Sequence, residues 1–189
     1  MGNERLTAIT GVALLLLLAV EGATLLALRQ LIDVHVFVGL MLIPPVLLKL
    51  ASTGYRFARY YMGDRQYREK GPPPAALRLI APIVVVTSIT MFASGVALLL
   101  AGPSSRDSLL PIHKISFIVW VAFTSVHLLG HLPRVPKLVS ADFGGRARGA
   151  PGRALRWLAL GSALGAGVAL GAALFAHVHP WEQNLAFGH

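Results

Sequence analysis

Two histidines, His113 and His127, stand fourteen residues apart inside one apolar stretch of the sequence. Neutral imidazoles carried by an apolar helix are ligands for a metal centre, haem iron above all. At 100° per residue the pair falls about 40° apart around a helix, and at 1.5 Å rise roughly 21 Å apart along it. Both rings then share one face near opposite ends of a membrane-crossing helix, at the separation of two stacked haems. A second apolar stretch carries His35 at the matching place near its start and, fourteen residues further on, Lys49. Three of the four positions of a two-helix, two-haem ligand set are therefore histidine. Ionisable groups in lipid are costly and mark function.

The elements that must position these residues are membrane helices. Of the 189 residues, 55% are hydrophobic and 13% charged, a membrane-protein composition. Five stretches have the length needed to cross a hydrocarbon core: 6–28, 31–51, 77–101, 109–132 and 154–178. Their continuous apolar runs lack the two-residue alternation of a spanning β-barrel. The expected fold is all-α, an integral membrane bundle of five transmembrane helices forming a single domain over residues 1–189. Arg5 precedes the first apolar run as in a signal peptide, but the run is long and has no small-x-small cleavage site, so it is expected to stay as a helix.

The formal charge of +9 does not point to nucleic acid, because its distribution follows membrane topology. Arg56, Arg59, Arg65, Arg68, Lys70 and Arg78 fall between the second and third spans. Arg134, Lys137, Arg146, Arg148, Arg153 and Arg156 fall between the fourth and fifth. The positive-inside rule makes the N-terminus and both basic loops cytoplasmic, in a plasma (inner) membrane. The first loop, 54–74, alternates aromatic and basic residues as an interfacial belt or a docking surface would. Gly71 and Pro72, Pro73 and Pro74 should end it stiffly, and 144–152 should form a flexible link. The chain has no cysteine, which rules out iron–sulfur ligation, disulfides and thioether-attached haem.

On this topology the second and fourth spans run the same way, and His35 and His113 each lie about four residues from the outer end. Two imidazoles at one depth across a bundle are what a six-coordinate b-type haem needs. Gly39, one turn after His35, leaves room for the porphyrin, and Arg29, Arg106 and Lys114 are the cations available to propionates. At the inner level His127 faces Lys49, whose ammonium is expected to snorkel to cytoplasmic headgroups. Neutral axial ligation, or binding of a propionate or an anionic quinone, is the other reading of Lys49. One haem is expected, and a second at His127 stays open. A lone histidine at a helix end is more often interfacial, and His131, His177 and His179 are read so.

Glu21 is the one acid inside an apolar core. It reads as an acceptor for an imidazole N–H, a proton carrier at a quinone site, or a neutral acid bonded to a neighbouring helix. Pro44 and Pro45 should kink the second span. Gly161, Gly165, Gly167 and Gly171 give the fifth span small faces for close helix packing.

His113 and His127 against His35, all on apolar helices, resemble the bacterial transmembrane b-type cytochromes of the cytochrome b561 and ferric-reductase-like kind. The likeness covers the second to fourth spans, and Lys49 departs from the pattern. The resemblance implies haem b as cofactor and electron transfer between a quinone pool or soluble donor and a redox partner, such as a molybdenum-cofactor or flavin enzyme. It implies an electron-transfer subunit of an oxidoreductase system rather than a complete enzyme. A different class is a proton- or metal-ion pathway, transporter-like, built on the intramembrane histidines and Glu21.

Overall fold

The computed structural model describes residues 2–69, 71, 75–131 and 152–187. The fold is all-α. Five long helices, α1 (Gly2–Thr24), α2 (Ile32–Tyr61), α4 (Ala75–Ala101), α5 (Arg106–His131) and α6 (Arg153–Leu174), are joined by short elements. These are α3 (Arg65–Arg68), α7 (His179–Phe187) and single 3-10 turns at Leu25–Ala27, Pro103–Ser105 and Phe175–Val178. Five segments built on the long helices are long and apolar enough to cross a membrane, and the chain is a multi-pass membrane protein by that criterion. Side chains turned away from the bundle are apolar too: Leu16, Ile115, Ile118 and Leu129 are all exposed, as lipid-facing residues would be.

α2 is the central helix. Leu14, Val38 and Leu42 form one core cluster with Val34, Val46 and Phe92 around it, joining α1, α2 and α4. Leu40, Leu99 and Val178 form a second with Val96, Leu170 and Trp181, joining α2, α4 and α6. α5 packs mainly on α4. Side-chain pairings make α1 and α2 antiparallel, since Thr7 meets Ser52 at one end and Thr24 meets His35 at the other. α4 and α5 are antiparallel likewise, with Ser94 beside His113 and Ser88 accepting from Trp120 Nε1.

The expected small-residue faces of the fifth span are used in part. A Cβ at Gly167 would strike the backbone carbonyl of Met41, and one at Gly171 would stand 2.9 Å from the Phe37 ring, whereas Gly161 and Gly165 face open space. Gly167 and Gly171, four apart, therefore set the α2–α6 approach.

α2 is longer than expected. It runs uninterrupted through Pro44 and Pro45 and ten residues past the expected boundary at 51, to Tyr61, so the aromatic and basic stretch is helical rather than loop. A single glycine costs a helix only about 1 kcal/mol, too little for exposed Gly54 to end it. The first proline beyond Pro45 is Pro72. Phe57 and Tyr61, one turn apart, pack with tilted rings at 4.5 Å between centroids, and Arg59 pairs with Asp64 just beyond the end. Gly63, at φ +87°, takes the turn that stops the helix. Lys70 and residues 72–74 lie outside the described residues. So does 132–151, with Arg134, Lys137, Arg146, Arg148 and nearly all of the expected link 144–152.

Candidate functional site

The outer level is assembled from four helices. His35, in the first turn of α2, directs Nδ1 at Glu21 Oε1 of α1, 2.9 Å away. Thr24 Oγ1 lies 3.1 Å from the same nitrogen and donates its own proton to the Glu21 carbonyl at 2.6 Å. Both groups therefore present lone pairs to Nδ1, so the ring proton sits on Nδ1 and the Nε2 lone pair is left for a ligand. His113 of α5 is held the same way from α4. Its Nδ1 donates to the Met91 carbonyl at 3.0 Å and lies 3.2 Å from Ser94 Oγ, whose hydroxyl is itself committed to Met91 O. His113 again has Nε2 to offer.

The His113 ring is accommodated beside a glycine. A Cβ at Gly95 would be 3.1 Å from His113 Cε1, so the bare backbone of α4 is what lets the imidazole lie there. A Cβ at Gly39 would be in ordinary contact, 3.4 Å, with Glu21 Oε1. Gly39 thus opens onto the Glu21–His35 pair. Arg29, in the turn before α2, and Lys114 and Arg106, on α5, are exposed. Lys114 follows His113 directly and so points about 100° away from it.

The inner level is polar in a way the sequence did not suggest. Lys49 does not reach for headgroups: its Nζ donates to the Thr7 carbonyl of α1 at 2.6 Å, in the notch left by Gly11, where a Cβ would stand 2.9 Å from Nζ. Ser52, one turn on, meets Thr7 Oγ1 at 3.0 Å, and its carbonyl accepts from Asn3 Nδ2 at 2.8 Å. A stem buried between helices with an acceptor in reach needs no interfacial anchor. His127 lies on the inward face of α5 with Trp120 and Phe123. The four positions named from the spacing stand on two helices, His35 and Lys49 on α2 and His113 and His127 on α5.

Two further histidines stand apart. His177 Nδ1 lies 3.3 Å from the Leu174 carbonyl, and exposed His179 pairs with Glu182 at 3.0 Å. Among the described residues no group of three or more His, Cys, Asp or Glu is placed to hold a metal ion. Haem iron makes a smaller demand, because the porphyrin supplies four ligands and the protein two. Thr24, Met91, Ser94 and Gly95 were not singled out from sequence. Serine and threonine in a membrane helix ordinarily bond back to their own helix, and no spacing rule distinguishes the ones that also touch a ring. Comparisons with protein-family models, with curated proteins and with solved structures find no match to this chain.

Proposed function

We propose that this protein is a membrane cytochrome of the b type, an electron-transfer subunit with one haem b held at the outer level between His35 and His113. The observation that carries the reading is the matched state of the two rings. Each has Nδ1 committed to an acceptor, Glu21 or Met91, and each keeps Nε2 as a neutral donor, the donor set of a six-coordinate haem. Haem b bound there supplies a one-electron ferric/ferrous couple. The residues do the rest: Glu21, Thr24, Met91 and Ser94 fix the rings, Gly39 and Gly95 leave space beside them, and Arg29 and Lys114 are the nearest cations in sequence for propionates.

Lys49, tied to Thr7, supports a single haem, with His127 left without a histidine opposite. The basic loops support a cytoplasmic N-terminus in a plasma membrane. Membrane quinone or a soluble donor on one side, and a molybdenum-cofactor or flavin enzyme on the other, are the partners this reading implies.

The Glu21–His35 contact also favours a second reading, a proton pathway. The next ionisable level, Lys49 and His127, is about fourteen residues or roughly 21 Å further along the helices, too far for a relay without intermediates. Absorbance of the purified protein decides between them. A Soret band with sharp α and β bands on reduction is the expected result, and a colourless protein that takes up no haem overturns the cytochrome reading in favour of the pathway.

A further inference from the structure

The two histidines of the outer level are held by chemically different groups. His113 donates to a backbone carbonyl and lies beside a hydroxyl, both neutral. His35 donates to a carboxyl group, and that group is an acid well inside the apolar first span. The Glu21 side chain is 15% exposed. Its second oxygen, Oε2, is buried with no hydrogen-bond partner among the described residues. A helix that needed only to fix the ring could have used another serine, as α4 does, without placing an acid where desolvation is costly.

We propose that Glu21 is a positioning residue of the outer site that makes His35 the more electron-donating of the two axial ligands and lowers the midpoint potential of the haem. The inference rests on the haem reading above. A hydrogen bond to an ionised acceptor is about twice as strong as one to a neutral group. It draws the Nδ1 proton toward the carboxylate and leaves negative character on the ring, which raises the basicity of Nε2. A more basic ligand and a nearby negative charge both favour the ferric over the ferrous state, so the potential falls. Thr24 adds a neutral lone pair to the same Nδ1.

The test is a spectroscopic redox titration of the purified full chain, with haem content measured in parallel. Glu21→Gln keeps the size and an accepting oxygen but not the charge. It is expected to hold haem as the wild type does and to titrate at a higher potential. Glu182→Gln removes a carboxylate from an exposed imidazole outside the site, that of His179, and is expected to leave the potential at that of the wild type. Glu21→Gln with full haem and an unchanged potential overturns the inference while leaving the cytochrome reading intact. Should Glu21→Gln assemble no haem, Glu21→Asp decides: haem restored supports the charged acceptor, and an equally empty Asp variant overturns it. A wild-type protein without haem removes the functional reading and this inference together.

Discussion

The imidazole of His113 lies flat enough on α4 that a methyl group at Gly95 would stand 3.1 Å from Cε1 and 3.4 Å from Nδ1. Both distances fall at or below ordinary contact, and the ring is also tethered to Met91 O, so it has little freedom to give way. Gly95→Leu should displace His113 and abolish haem binding. Gly161→Leu, where nothing lies within 4 Å of the added carbon, should bind haem as the wild type does. Haem per protein by pyridine haemochrome assay measures both, and full retention in Gly95→Leu would show that His113 ligates from another position or not at all.

The ligand assignment itself makes a sharper demand. His35→Ala and His113→Ala should each lose the haem, while His177→Ala and His179→Ala keep it, because the last two lie in the exposed segment around the start of α7. Ser94→Ala removes only one neutral neighbour of the His113 Nδ1, and it should weaken haem affinity by no more than about 10- to 100-fold. A high-spin spectrum in either alanine variant would mean that one imidazole suffices to hold the ring.

Length and apolarity alone marked the five spans, because a hydrocarbon core demands little else of a helix. For His35 and His113, equal counts from two helix ends give an expected common depth. The counts themselves shifted: His35 lies three residues past the start of α2 and His113 seven past the start of α5. What helical periodicity could not tell was which neighbour each face meets. Lys49 was correctly placed on the face of His35, but its fate depends on Gly11 and the Thr7 carbonyl of another helix. Gly161 and Gly165 look the same in sequence as Gly167 and Gly171, and only the latter two touch α2. The end of α2 was misjudged because exposed aromatic and basic residues suit a loop and a projecting helix equally.

The α2–α6 contact gives a prediction about stability. Gly167→Ala would drive a methyl into the Met41 carbonyl, which belongs to the backbone and cannot rotate away. Overpacking of this kind costs about 1–3 kcal/mol, so Gly167→Ala should lower the midpoint of thermal unfolding in detergent, and Gly165→Ala should leave it unchanged. Equal midpoints would mean that α6 can slide along α2 at no cost.

Orientation can be checked without reference to any cofactor. Thirteen of the seventeen basic residues belong to the N-terminus and the two basic loops, so a reporter inserted after Gly63 should behave as cytoplasmic and one fused after His189 as external. The reverse pattern would exchange the outer and inner levels in the membrane. It would leave the pairing of His35 with His113 untouched.

The inner level supplies the last test, because Lys49 now has a stated task. Its ammonium holds α2 to α1 through Thr7 O at 2.6 Å. An ammonium engaged in that bond has no lone pair for iron, so the wild type should carry one haem. Lys49→His puts an imidazole at the depth of His127 and frees the Gly11 notch, giving the inner level the same donor set as the outer. It should raise the haem content from one to two per chain by pyridine haemochrome assay, while Lys49→Met, which lacks a nitrogen donor, should stay at one. Two haems in the wild type would mean that His127 already shares its iron with a second ligand. One haem in Lys49→His would mean that side chains fill the inner space, and that the spacing of fourteen residues places ligands without guaranteeing a cavity between them.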